Sequence, residues 1–360
     1  MTHGFATDKH ARNMNQSSWA RFQTALQFLR RYFAPTRIPC ASSLGRGTDT
    51  QVYLKLESEL PTGSFKLRGA LCALNAEMGR RTVPEVVASS TGNHGAAVAY
   101  AGKILNVPVT IFLPRNSNPT KQRRIREQGA KIIEHGKDIS EAFDAANTYA
   151  NRTGAFLLSD ASNPDVPIGT GTIAIEIVEQ LPDVDEIWVP IGDTALIRGV
   201  AAAAKHLRPG VRVIGVQAER APSYYLSWKR GVVITTKSCD TIADGLATRI
   251  PIQENVTAIR ELVDDVNLVT EAQLLSAVEH LYISEQIVAE PAGAATTAAW
   301  LATSRHTPNA PVVLLVTGSN IAEPAKWSTR KIFQNSETIF SRLTELNKIG
   351  GNKNAGVVGG

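Results

Sequence analysis

From about residue 50 to residue 320, short runs of β-branched and other apolar residues alternate with longer segments whose apolar positions recur at helical spacing. That alternation predicts βα units building a parallel sheet, and the fold class is α/β. The predicted strands are VYLKL from Val52, EVVAS from Glu85, VPVTIFL from Val107, AKII from Ala130, EIWVPI from Glu186, VRVIGV from Val211 and PVVLLV from Pro311. Most are followed by Gly, Ser, Thr, Asn or Asp and then by a helix. In open α/β sheets ligands sit just beyond the carboxyl ends of strands, where helix N-termini meet anions. Function is therefore to be sought in those turns.

The ends of the chain are organised differently. Residues 1 to about 33 form a polar tail followed by an amphipathic stretch, SWARFQTALQFLRRYF, which is expected to pack on the body. Beyond about residue 330 the chain turns polar and closes on GGNKNAGVVGG. The first residues carry no apolar run behind their positive charges, and no segment approaches the length of a membrane span, so the chain reads as soluble and cytoplasmic. At 360 residues and 43% hydrophobic content it is long enough for two lobes. Cys40, Cys72 and Cys239 lie far apart without C-x-x-C spacing and are expected to be buried thiols. A net charge of +5 raises the question of nucleic acid, but the basic residues are dispersed. The one dense run, Lys121, Arg123, Arg124 and Arg126, reads as a solvated helix face.

Four turns carry candidate chemistry. In PTGSFKLRGA, Lys66 follows a turn rich in Gly, Ser and Thr and opens a helical stretch. A cation at a helix N-terminus opposes the dipole, so something should reward it there, and one reward is a covalent link to an aldehyde cofactor. In SSTGNHGAAVAYAG, the hydroxyls of Ser90 and Thr91 and the free N–H groups of a helix start make a seat for a carboxylate. Asn93 is placed to donate to a phenolate-like oxygen, while the imidazole of His94 reads as an orienting group. PIGDTALIRG is again strand, turn and helix, as a phosphate site requires. VTGSN closes the last strand on the neutral hydroxyl of Thr317.

Together with TIADGLA and AEPAG, these motifs occur in the order and spacing of the fold type II pyridoxal-phosphate enzymes, and over about residues 35–325 the chain most resembles the branch of threonine and serine dehydratases and serine racemases. The resemblance implies a two-domain fold like that of the tryptophan synthase β chain, each domain an open, mostly parallel sheet flanked by helices. It places the large cofactor domain at 34–84 plus 161–330, a small domain at 85–160 and a C-terminal tail at 331–360. The implied cofactor is pyridoxal 5'-phosphate, held as a Schiff base by Lys66, which also acts as acid and base. Phe65 would pack near its ring, Asn93 would bond its 3-hydroxyl oxygen, and Gly192, Asp193, Thr194, Ala195 and Leu196 would hold its phosphate. Gly245 and Glu290 would line its pocket, and Thr317 would face the ring nitrogen. Ser90, Thr91, Asn93 and His94 would bind the substrate, with Thr91 a second catalytic candidate. The partners implied are a small amino acid and a second copy of the chain, a homodimer, with no nucleic acid and no membrane.

A neutral hydroxyl at the ring nitrogen weakens electron withdrawal and favours prompt expulsion of a β-substituent. The function implied is α,β-elimination on a small 3-hydroxy amino acid, giving a 2-oxo acid and ammonia. β-Replacement and racemisation on the same scaffold are the alternatives, followed by a homologue that binds without turnover. Three departures bear on this. Asp193 stands where the branch has glycine, and it must point away, be paired or be protonated, with Arg198 a compensating charge. Gln217 and Ser223 stand where metal-dependent members place carboxylates, so no divalent ion is expected to be required. The racemase arginine has no counterpart near residues 138–141, which leaves the substrate's identity open.

Overall fold

The computed structural model describes residues 19–46, 49–303 and 310–321. The extreme N-terminal tail and the tail at 331–360 lie outside them. The helical elements begin with α1 (residues 19–29). The chain then runs through β1 (Val52–Leu56), α2 (Lys66–Arg80), β2 (Val86–Ser89), α3 (Asn93–Leu105), β3 (Val109–Leu113), α4 (Pro119–Glu127), β4 (Lys131–Glu134), α5 (Ile139–Thr153) and β5 (Phe156–Leu157). It continues with α6 (Val166–Gln180), β6 (Glu186–Pro190), α7 (Ala195–Leu207), β7 (Arg212–Ala218), α8 (Ser223–Arg230), α9 (Gln253–Leu262), β8 (Asp265–Val269), α10 (Glu271–Glu285), α11 (Ala295–Ala302) and β9 (Val312–Val316).

The strands form two parallel sheets, one of five strands in the order β1-β9-β6-β7-β8 and one of four in the order β4-β3-β2-β5. All seven expected strands are present. The two missed, β5 and β8, are sheet edges: β5 is only two residues long, and β8 breaks its apolar run with Asp265 and Asn267.

Central strands here are mostly apolar because both faces are covered, and β9 is apolar at every position. Along β9, Val312, Leu314 and Val316 pack into one buried cluster with Leu54, Leu56, Trp188 and α10 residues, whereas Val313 and Leu315 pack into another with Ile187, Val189 and α7 residues. A third cluster joins α2 and α3 to β2 and β3. Helix α1 lies against the body: Phe22 and Leu26 enter the second cluster, while Ala25, Phe28 and Leu29 enter the third. Of the three thiols, only Cys72 is buried, and burial pushes it up to about 12; Cys40 is exposed and Cys239 half-buried, a correction to the expectation that all three are interior. Cys40 sits in an isolated bridge with Tyr53 at the outer edge strand β1, where no layer covers it.

At the root of α2 lies a buried charge network that no motif announced. Arg68 donates to Glu57 at 2.7 and 2.8 Å and to Glu176 at 2.7 and 2.8 Å, and Lys55 donates to Glu176 at 2.7 Å. All four side chains are buried. Two cations balance two anions, which is the condition for keeping such a group out of water.

Candidate active site

The carboxyl ends of both sheets open on one cavity of about 800 Å³, lined by the turns after β2, β5, β6 and β9. Lys66 stands at its wall because two loops are laced together beneath it. Phe65 N donates to Thr317 O at 3.0 Å, Ser319 N donates to Gly63 O at 3.0 Å, and Ser64 bridges Gly318. Gly63 adopts φ +69°, and a Cβ there would come within 2.7 Å of Asn320 Oδ1, so glycine is required.

The Lys66 ammonium donates to Asp160 Oδ2 at 2.5 Å and Asp193 Oδ2 at 2.6 Å, and lies 5.1 Å from the Phe65 ring centroid. Burial opposes its charge, but the two carboxylates outweigh burial and hold its pKa above the ordinary lysine value. Burial raises Asp193, and the adjacent charge of Asp160 adds to that. Asp160 is held low in spite of burial, chiefly by His94 and then by Lys66. His94 is itself buried, with Nε2 3.0 Å from the carbonyl of Leu158 and Nδ1 3.5 Å from Asp160. A carbonyl only accepts, so Nε2 carries the hydrogen and the imidazole is fixed in orientation.

At the start of α3, Gly92 N donates to Ser90 Oγ at 3.2 Å, and the Thr91 hydroxyl faces the cavity. Asn93 donates to Glu290 at 2.7 Å and accepts from Asn320 at 2.7 Å. Burial pushes Glu290 up to about 7, against the hydrogen bond from Asn93. The native state thus binds that proton more tightly than an unfolded chain, whose carboxyl titrates near 4.5, and Glu290 subtracts stability as pH rises from about 4.5 to about 7. Glu290→Gln is expected to flatten that slope. Melting temperatures at pH 5 and pH 8 check it: the wild type should lose more between them than the variant does.

Beyond β6, Gly192 presses so close that a Cβ would lie 2.1 Å from Gly245 O, leaving bare backbone on the cavity floor. Asp193 does not point away. Besides pairing with Lys66, its Oδ1 accepts from Ala195 N at 2.8 Å, at the N-terminus of α7. Thr194 is held at φ +74°, a strained conformation for a β-branched residue, and its hydroxyl accepts from Arg198 Nε at 3.1 Å. Arg198 therefore serves the loop from behind, through Thr194 and the Ala161 carbonyl, rather than bonding Asp193. Thr317 is buried and lines the cavity, and its hydroxyl has no hydrogen-bond partner among the described residues.

The structure brings Phe65, Lys66, Ser90, Thr91, Asn93, His94, Gly192, Asp193, Thr194, Leu196, Gly245, Glu290 and Thr317 to this cavity; Ala195 is buried and does not line it, its N–H bonding Asp193. Asp160, Asn320, Lys121 and Arg124 also line it and were not anticipated as site residues. Asp160 ends the segment after β5, and an acidic residue just past a strand's carboxyl end was the available signal. Gln217 and Ser223 are interior hydrogen-bonding groups: Gln217 accepts from Tyr225 N at 2.8 Å and Ser223 donates to Thr248 O at 2.6 Å.

The model of the family described as "Pyridoxal-phosphate dependent enzyme" matches residues 29–318. The L-threonine ammonia-lyase of Thermotoga maritima is 37% identical over 289 residues, 79% of this chain and 71% of that protein. The serine racemase of Oryza sativa subsp. indica is 30% identical over 333 residues, 91% of this chain and 95% of that protein. The solved structure of maize serine racemase superposes with a TM-score of 0.81 at 28% identity, covering 91% of this chain and 98% of that one. With the family model spanning most of the chain and these relatives aligned along nearly its full described length, the chain belongs to the pyridoxal-phosphate-dependent enzymes.

Proposed function

We propose that this protein is a lyase that removes water from a small 3-hydroxy amino acid of the serine or threonine kind, leaving a 2-oxo acid and ammonia after hydrolysis. The observation that carries the reading is the amine of Lys66 in a cavity also lined by Thr317, whose neutral hydroxyl has no hydrogen-bond partner among the described residues.

The residues fit pyridoxal phosphate. The bare backbone at Gly192 and the N-terminus of α7 suit a phosphate, and the orphaned Thr317 hydroxyl suits a ring nitrogen. One local conflict remains, since the carboxylate of Asp193 occupies Ala195 N at that same helix end. Burial and the adjacent Asp160 raise the pKa of Asp193, the direction that eases a carboxyl group beside a phosphate.

Lys66, Phe65, Asn93, Gly192–Leu196, Gly245, Glu290 and Thr317 would hold the cofactor. When bound, it supplies an electron sink for charge developing at the substrate's Cα. Ser90, Thr91 and the start of α3 seat the substrate carboxylate, and His94, fixed by Leu158, keeps Asp160 in place beside them. Lys66 Nζ takes the Cα proton. Thr317 offers the sink a hydrogen bond without a formal charge, which favours departure of the β-hydroxyl over prolonged carbanion chemistry. Racemisation is the second reading, supported by the Thr91 hydroxyl, which lines the cavity free of any hydrogen bond among the described residues. The same reading takes residues 85–160 as a small domain and the working unit as a cytoplasmic homodimer that needs no divalent ion.

Incubating the cofactor-loaded protein with serine, threonine and 3-hydroxyaspartate is expected to release 2-oxo acid and ammonia in equal amounts from at least one of them. Chiral analysis and added thiols in the same reactions separate racemisation and β-replacement. Release from none of the three would refute the lyase reading.

A further inference from the structure

Nearly every charged side chain lining the cavity has a partner. Lys66 is paired with Asp160 and Asp193, His94 stands beside Asp160, Asp240 is paired with Arg220 at 2.8 Å, and Glu290 takes a hydrogen bond from Asn93. Lys121 is paired with Asp244 at 2.5 Å. Arg124 is the exception: it lines the cavity, is half-buried, and makes no hydrogen bond or ion pair among the described residues.

Helix α4 explains how it comes to be there. Asn118 caps the helix by accepting from Thr120 N and Lys121 N, and Ile125 is buried against the start of α3, 3.2 Å from where a Cβ on Gly95 would lie. With Ile125 facing the protein, residues 121 and 124, one turn apart, share a face that looks into the cavity. The side chain is thereby carried to the cavity wall. Burial lowers its pKa, and the carboxyl whose field most opposes that is Glu290, whose own pKa burial raises. A partly desolvated cation without a full counter-ion is costly in an empty site and is relieved by an anion that enters it.

Resting on the lyase reading above, we propose that Arg124 is a specificity-determining residue that pairs with a carboxylate on the substrate's side chain, so that the preferred substrate is a dicarboxylic 3-hydroxy amino acid. The planar fork of arginine matches a carboxylate at two points, which a β-hydroxyl or a methyl group does not offer.

The test uses the cofactor-loaded enzyme and the variants Arg124→Leu and Arg124→Lys, with 3-hydroxyaspartate and threonine as paired substrates. The wild type should prefer 3-hydroxyaspartate. In Arg124→Leu the ratio of kcat/KM for 3-hydroxyaspartate over threonine should fall roughly 50-fold, mostly through KM, as loss of a charge-assisted bidentate contact implies. Arg124→Lys should restore part of it. Binding is read separately by calorimetry with α-methylaspartate and α-methylserine, which have no Cα proton to lose. Arg124→Leu should weaken the first selectively, so that an enzyme inactive on both substrates would sink the lyase reading while leaving this one measurable. Equal losses for both substrates, or for both α-methyl ligands, would overturn the inference by assigning Arg124 to the shared α-carboxylate. Loss of the cofactor's absorbance from Arg124→Leu would overturn it by assigning Arg124 to the cofactor.

Discussion

Lys66→Ala is expected to lower turnover by roughly 10³-fold or more and to abolish covalent capture of the cofactor by borohydride, because in the proposed mechanism one amine serves both as anchor and as proton acceptor. The size of the loss follows from the absence of a substitute. Of the other basic groups along the cavity, His94 is fixed between Leu158 O and Asp160, Lys121 is engaged by Asp244, and Arg124 lies with Lys121 on α4. The variant also leaves Asp160 and Asp193 facing each other without the ammonium that now separates their charges. One of the two should then take up a proton at neutral pH, since adjacent buried carboxylates cannot both stay ionised cheaply. Mass analysis of the peptide containing residue 66 after reduction checks the anchor, and the 2-oxo acid assay checks the rate. Retention of the reduced adduct in Lys66→Ala would move the covalent site elsewhere.

Arg68→Met is expected to destabilise the protein by about 3–5 kcal/mol, the cost of breaking a buried ion cluster from one side. Arg68 is the larger of the two cations that balance Glu57 and Glu176, and its removal leaves Lys55 alone against both carboxylates. Adding Glu57→Gln returns the cluster to neutrality, so the double variant should recover part of the loss and the two changes should be far from additive. Urea midpoints of the wild type, the single and the double variant decide it; a loss within ~0.5 kcal/mol for Arg68→Met would show that the cluster contributes no more than a surface pair. The same buried cluster holds Arg68, one half-turn from Lys66 on α2.

How much of this could be read in the chain depends on what each feature requires locally. The central strands were visible because coverage on both faces makes them mostly apolar runs, while β8 was hidden by Asp265 and Asn267 at a half-exposed edge. The turns holding Lys66, Asn93 and Thr317 were visible because glycine and hydroxyl residues beside strand ends are forced by close backbone approach. Asp160, Asn320 and Arg124 were not, since their roles arise from contacts across more than 90 positions or from the face an otherwise ordinary basic helix presents. The basic run at 121–126 divides accordingly: Arg123 and Arg126 are exposed, as a solvated face requires, whereas Lys121 and Arg124 turn inward. Asp193 stood out as an anomaly in the sequence, but its pairing with Lys66 depended on the approach of two loops 127 residues apart.

The Lys121–Asp244 pair spans the rim of the cavity, joining α4 to the short 3-10 turn at Asp244–Leu246. Asp244 is 73% exposed in its side chain, and an ion pair so open to solvent is worth roughly 0.2–1 kcal/mol. At thermal energy that biases the rim toward the joined state only about 1.5- to 5-fold. That pair therefore contributes little to holding α4 against the turn at Asp244–Leu246, and Lys121→Ala is expected to change stability by less than about 1 kcal/mol, read from urea midpoints.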